Sequence, residues 1–95
     1  MKTESPSQSW FVYLLRCADD SLYAGVTTDL ERRLREHNQC NKKGARYTRA
    51  RRPVSLAYSE GHKDRTSACR REAEIKALTR AQKLRLINHL IQRDL

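Results

Sequence analysis

Trp10-Phe11-Val12-Tyr13-Leu14-Leu15-Arg16-Cys17 is a nearly unbroken apolar run, too short for a helix of its own and rich in residues that favour strands. Such a run reads as a β-strand. Working outward, Ala18-Asp19-Asp20-Ser21 carries turn chemistry, and Leu22-Tyr23-Ala24-Gly25-Val26 reads as a second strand that completes a hairpin. Thr28-Asp29-Leu30-Glu31 has the form of a capping box, which predicts a helix from there to about Asn38. Residues 39–52 are polar and basic, contain Gly44, and read as a loop with room for a short helical turn. Pro53 opens a third strand over 54–60, with Val54, Leu56 and Tyr58 on one face and Gly61 as its end. Asp64 suits the N-cap of a helix reaching Thr79 or Arg80. Leu84, Ile87, Leu90 and Ile91 have the spacing of a last amphipathic helix starting at Ala81. The expected fold is α+β: a small, mainly antiparallel three-stranded sheet flanked by helices. Residues 1–9 read as a flexible tail, and 10–95 as a single domain with a C-terminal helical extension.

At 95 residues the chain has length for one domain. No apolar stretch approaches the ~18–20 residues needed to cross a bilayer, and the polar start lacks a signal-peptide apolar region. Cys17, Cys40 and Cys69 are odd in number and far apart, which argues against a disulfide framework or a zinc knuckle and for a reducing, cytoplasmic setting. The net charge of +9 is concentrated. Between Arg32 and Arg52 stand nine basic residues and one acid, Glu36, a balance of +8 in 21 residues. A charge so placed repels itself unless it faces a polyanion, and nucleic acid is the commonest one. The bland alternative is a solvated basic face.

Helical spacing of about 100° per residue sets Arg33 and His37 on the same face as Leu30 and Leu34, whereas Arg32, Arg35 and Glu36 point to solvent. A charge beside an apolar stripe needs a partner or a ligand. A snorkelling arginine and a helix-end histidine favoured by the dipole are the ordinary alternatives. In the next helix Glu72 falls beside the face of Ala68 and Ile75, while Glu74 faces water. An i,i+4 pair with Lys76 is the ordinary reading of Glu72. Arg71 also falls toward the apolar face, without an evident role. Tyr13 and Tyr23 serve one site only if they share a sheet face, so paired residue numbers must sum to an even number. A four-residue turn fails that condition, and a three- or five-residue turn, or a bulge, meets it.

The ordered set resembles the GIY-YIG nuclease superfamily over roughly residues 10–80, and most of all its small stand-alone bacterial members. Phe11-Val12-Tyr13 stands for the first motif and Tyr23-Ala24-Gly25 for the second, with Arg33, His37 and Glu72 in order behind them. Arg46-Tyr47-Thr48 matches a basic segment of those small members. Phe11 replaces the first motif's glycine, Val26 stands where some members carry a lysine, and Asn88 is the candidate for the family's C-terminal asparagine.

The resemblance implies a metal-dependent endonuclease that hydrolyses DNA phosphodiester bonds in repair or recombination. Its catalytic residues would be Tyr13, Tyr23, Arg33, His37 and Glu72. Glu72 would hold one Mg²⁺ or Mn²⁺ with water and phosphate as the other ligands. Arg33 would offer its fork to a phosphate oxygen. Tyr23 is favoured as the base and Tyr13 as its positioner, with the order open. Lys42, Lys43, Arg46, Tyr47, Arg49, Arg51 and Arg52 would grip the DNA or RNA backbone, Tyr47 by stacking on a base or lining the site. Two other classes compete: a nucleic-acid-binding module with the same fold and little activity, and a basic protein that docks on RNA or the ribosome. No membrane or disulfide partner is expected.

Overall fold

The computed structural model of the chain describes the backbone of residues 9–93 and the side chains of residues 9–88. The tail expected over 1–9 therefore lies almost wholly outside the described residues, as do the side chains of Leu90 and Ile91. Three strands, β1 (Trp10–Arg16), β2 (Leu22–Thr27) and β3 (Ser55–His62), form an antiparallel sheet in the order β2-β1-β3. The helices are α1 (Leu30–Gln39), α2 (Arg46–Arg49), α3 (Arg65–Lys76) and α4 (Arg80–Arg93). The architecture is the expected α+β sheet flanked by helices. Among the described residues no helix is long and apolar enough to cross a membrane.

β1 reads as a continuous apolar run because it is the central strand, covered on both faces. Val12 and Leu14 pack with Ala24, Ala68, Ile75 and Ile87, so α3 and α4 lie on one face. Tyr13, Leu15, Cys17 and Val54 pack with Tyr23, Leu30 and Leu34, which puts α1 on the other. Register decides this division. Tyr13 pairs with Gly25 and Leu15 with Tyr23, so the hairpin sums are even and both tyrosines share the α1 face. The turn spans five residues, 17–21, between the paired Arg16 and Leu22. Asp20 adopts a φ of 69°, a left-handed conformation that Asp tolerates.

Four expectations are corrected. The cap of α1 is Asp29, whose Oδ1 accepts from the Arg32 amide at 3.0 Å, not Thr28. The buried Thr27 hydroxyl already binds the Asp29 amide at 3.1 Å, which turns the Asp29 side chain into the capping position. The third strand runs on to His62 rather than ending at Gly61. A bulge between Leu14 and Leu15 skips Ala57, so Leu14 faces Tyr58 while Leu15 faces Leu56. One inserted residue reverses the phase of alternation. Tyr58 consequently joins the α3/α4 face and Val54 the α1 face, with Leu56 left 43% exposed. Finally, α3 stops at Lys76 because Thr79 starts the next helix. The Thr79 amide donates to Gln82 Oε1 at 2.9 Å and the Gln82 amide to Thr79 Oγ1 at 3.2 Å, a reciprocal capping box.

Arg71, unassigned from the sequence, clamps α3 to β3. Its Nε donates to Glu60 Oε2 at 3.0 Å, and Glu60 also accepts from the Tyr58 hydroxyl at 2.5 Å. Burial apportions stability across the sheet. Ile75→Ala, at a fully buried position, lowers unfolding free energy by about 2–5 kcal/mol. Leu56→Ala, on the exposed strand position, changes it by no more than about 0.5 kcal/mol. Urea unfolding of the two variants measures the contrast.

Candidate active site

The α1 face of the hairpin holds a buried polar chain. Tyr13, on the central strand, places its hydroxyl 2.9 Å from His37 Nε2, and His37 Nδ1 lies 2.9 Å from Thr48 Oγ1. His37 and Thr48 are fully buried, and Tyr13 nearly so. Gly25 makes the chain possible. It pairs directly with Tyr13, and a Cβ there would collide with the Tyr13 hydroxyl and ring. The second motif's glycine is therefore the space into which the first motif's tyrosine fits.

Hydrogen-bond counting assigns the tautomer of His37. The Ala45 amide points at Nδ1 from 3.3 Å, so Nδ1 must accept. The Thr48 hydroxyl has one proton and two acceptors in reach, Nδ1 and the Ala45 carbonyl, each at 2.9 Å. That carbonyl already receives the amides of Thr48 and Arg49, at 3.1 and 3.0 Å. With the Thr48 proton on Nδ1, the Thr48 hydroxyl, the Ala45 amide and Nδ1 are all engaged. Nε2 then carries the ring proton and donates to Tyr13. Burial, reinforced by the charge of Arg33, holds the His37 pKa down to about 4. The ring is neutral at pH 7, so a protonated histidine on the helix dipole, the ordinary alternative, does not describe it. Burial pushes the Tyr13 hydroxyl up to about 12, while the adjacent Arg33 guanidinium pulls in the opposite direction.

Tyr23 lies on the same face but is half-buried. Its ring meets the edge of His37 at 5.5 Å and stacks on Tyr47 at 5.6 Å between centroids. Arg33 is also half-buried. Its Nη1 donates to Glu36 Oε1 at 2.9 Å and to the Lys43 carbonyl at 2.7 Å. Tyr13, Tyr23, Arg33, His37 and Tyr47 thus come together.

Glu72 stands apart, on α3, which packs on β1 and β2 from the other face. Its carboxylate is 3.4 Å from Lys76, the ordinary i,i+4 pair, yet its negative charge still reaches the Tyr13 hydroxyl and raises that pKa slightly. Among the described residues no three His, Cys, Asp or Glu side chains gather as a metal cage. One carboxylate oxygen donor with solvent access fits a hard cation such as Mg²⁺ or Mn²⁺, which keeps several of its waters. Asn88 is exposed on α4, in the layer opposite the tyrosines.

The basic window divides. Arg52 turns inward and caps α1, donating to the carbonyls of His37 (2.6 Å) and Cys40 (3.1 Å) and to Asn41 (3.0 Å). Arg49 donates to the Asn41 carbonyl at 2.6 Å. Arg51 pairs with Asp19 at 3.0 Å and lies 3.9 Å over the Tyr47 ring. Lys42, Lys43 and Arg46 are exposed, and their side chains make no ion pair among the described residues.

Sequence reasoning missed Thr48, Asn38 and Glu36. Thr48 stood inside the Arg46-Tyr47-Thr48 segment, where its burial carried no signal. Asn38 holds the Val54 backbone with both ends of its amide, at 2.8 and 2.9 Å, and fixes the start of β3 against α1. Glu36 reads as a solvent residue, but its side chain is only 16% exposed because Arg33 draws it inward.

A family model described as the GIY-YIG catalytic domain matches residues 9–85. A UPF0213 protein of Desulfotalea psychrophila is 49% identical over 86 residues, covering 90% of this chain and 77% of the relative. One from Staphylococcus haemolyticus is 49% identical over 81% of this chain and 92% of its own. Two solution NMR structures are similar. A UPF0213 protein from Bacillus halodurans matches with TM-score 0.54 and 40% identity over 84% of this chain and 83% of that one. A protein from E. faecalis matches with TM-score 0.61 and 41% identity over 94% and 93%.

The buried neutral imidazole predicts a pH signature. His37 takes its proton near pH 6.5 when unfolded and only near pH 4 in the native state. Its contribution to stability is complete above about pH 6.5 and is lost as pH falls toward about 4. The urea midpoint of the wild type therefore falls more between pH 7 and pH 4.5 than that of His37→Gln. Parallel falls would show that His37 titrates normally.

Proposed function

Since the chain belongs to the GIY-YIG catalytic-domain family, a family of nuclease type, we propose that it is a metal-dependent endonuclease hydrolysing DNA phosphodiester bonds, in repair or recombination. The observation that carries this reading is the convergence of Tyr13, Tyr23, Arg33 and His37 on one sheet face beside an exposed basic loop. A fold that served only to bind would not need a desolvated arginine against a buried tyrosine–histidine pair.

Hydrolysis needs a positioned water, neutralised phosphoryl oxygens and a stabilised leaving oxygen. Arg33 supplies permanent positive charge and a planar fork for a phosphate oxygen. Tyr23 is the motif tyrosine with access to solvent, and in this reading it takes the proton of the attacking water. Only the phenolate of a tyrosine can accept a proton, so this step requires positive charge beside the hydroxyl when substrate is bound. Tyr13, enclosed and held by His37, sets the position of the site rather than exchanging protons with solvent. Glu72 would hold a divalent ion with water as its other ligands, and the ion would add positive charge to the site.

Lys42, Lys43 and Arg46 hold the nucleic-acid backbone in this reading. Arg49 and Arg52 shape the loop that presents them, and Arg51 holds Tyr47 against Tyr23. The three free thiols suit a cytoplasmic setting.

The test is cleavage of plasmid, branched and single-stranded DNA with Mg²⁺ or Mn²⁺. Arg33→Ala lowers the rate by about 10²–10³-fold, the range for removing a donor to developing charge. Glu72→Ala or chelation of the metal abolishes cutting at ordinary metal concentrations. Variants that cut as fast as the wild type would show that the site lies elsewhere. Binding without cutting by every form, with steep salt dependence, would leave a binding module.

A further inference from the structure

Glu36 keeps a carboxylate beside the arginine that the nuclease reading assigns to a phosphate. A negative charge there weakens the binding of a polyanion, so its place needs a compensating gain. The hydrogen bonds identify one. Glu36 Oε1 and the Lys43 carbonyl both accept from a single Arg33 nitrogen, Nη1, at 2.9 and 2.7 Å. The remaining donors of the guanidinium are left for Tyr13 and for a ligand.

Arg33 and Glu36 side chains are 26% and 16% exposed, so the pair is shielded far more than an ordinary surface ion pair. Arg32 approaches the second Glu36 oxygen at 3.7 Å and holds the carboxylate in turn. The Lys43 carbonyl comes from a different segment, the loop held close to α1 by Gly44. A Cβ at Gly44 would press on the carbonyls of Glu36 and Cys40 at 2.6 and 2.7 Å.

We propose that Glu36 is the positioning residue of Arg33: together with the Lys43 carbonyl it locks the guanidinium in advance, so that the rest of the fork is presented to a phosphate. The orientation is then fixed before substrate arrives, and its entropic cost does not fall on the reaction step. The function assigned to Glu36 rests on the nuclease reading, while the locking itself is a property of the free protein.

Two variants separate orientation from charge. Glu36→Gln keeps a carbonyl oxygen for Nη1 but removes the charge, whereas Glu36→Ala removes both. In steady-state cleavage, Glu36→Ala loses about tenfold to a hundredfold in kcat, with KM unchanged or lower because the site has become more positive. Glu36→Gln recovers most of kcat. Wild-type turnover by Glu36→Ala, or equal loss in both variants, would overturn the proposal. Arginine side-chain NMR reads the locking without any cleavage, with the Arg33 signals assigned by their loss in Arg33→Lys. Resolved, slowly rotating Nη signals are expected in the wild type and in Glu36→Gln, and averaged ones in Glu36→Ala. Averaged signals in the wild type, or resolved ones in Glu36→Ala, would contradict the locking. If no form cuts DNA, the nuclease reading fails and the NMR comparison alone decides whether Glu36 locks Arg33.

Discussion

The chain of hydrogen bonds from Tyr13 through His37 to Thr48 is the constraint on which the α1 side of the molecule depends. It joins the central strand, the first helix and the basic loop through three side chains that are all buried or nearly so. Such a chain is stabilising only when every donor and acceptor in it is matched. One missing partner would leave a polar group desolvated at a cost of about 1–3 kcal/mol. The surrounding sequence is arranged around that requirement. Gly25 clears the volume that Tyr13 occupies, Gly44 lets the loop approach the end of α1, and the Ala45 amide completes the shell of His37.

The same constraint sorts the basic residues. A run of nine cations around one acid looks uniform, but folding gives its members different surroundings. Arg52 spends its guanidinium on the carbonyls at the end of α1, where cations are favoured. Arg51 is held between Asp19 and the ring of Tyr47. Arg33 is turned toward the tyrosines. Charge that repels itself in the unfolded chain is thus partly absorbed by carbonyl dipoles, and only the exposed remainder faces solvent.

Much of the fold was legible because β1 is apolar on both faces and the turn residues stand out. A shared face for Tyr13 and Tyr23 stands in the sequence only as a parity condition. The four residues Ala18–Ser21 would fail it, and the five-residue turn meets it because Cys17 leaves the strand. Arg33 and His37 were placed by helical spacing, since Leu30 and Leu34 mark the buried stripe. What was not legible depended on tertiary partners. Nothing local says that Thr27 is buried and so passes the capping role to Asp29. The bulge at Ala57 has no signature in Val54-Ser55-Leu56-Ala57-Tyr58, because either phase of alternation buries something apolar. Glu36 reads as a solvent residue until Arg33 turns toward it, and Thr48 reads as a loop residue until His37 meets it. The start of α4 was available in Thr79 and Gln82, a capping box hidden inside what reads as continuous helix.

The state of the His37 ring is the most direct check on this arrangement. Long-range proton–nitrogen correlation spectra of the imidazole at pH 7 report which nitrogen carries the proton. A neutral ring protonated on Nε2, with Nδ1 accepting from Thr48 and Ala45, is the expected result. A ring protonated on Nδ1, or an imidazolium, would mean that Tyr13, His37 and Thr48 are not joined as described.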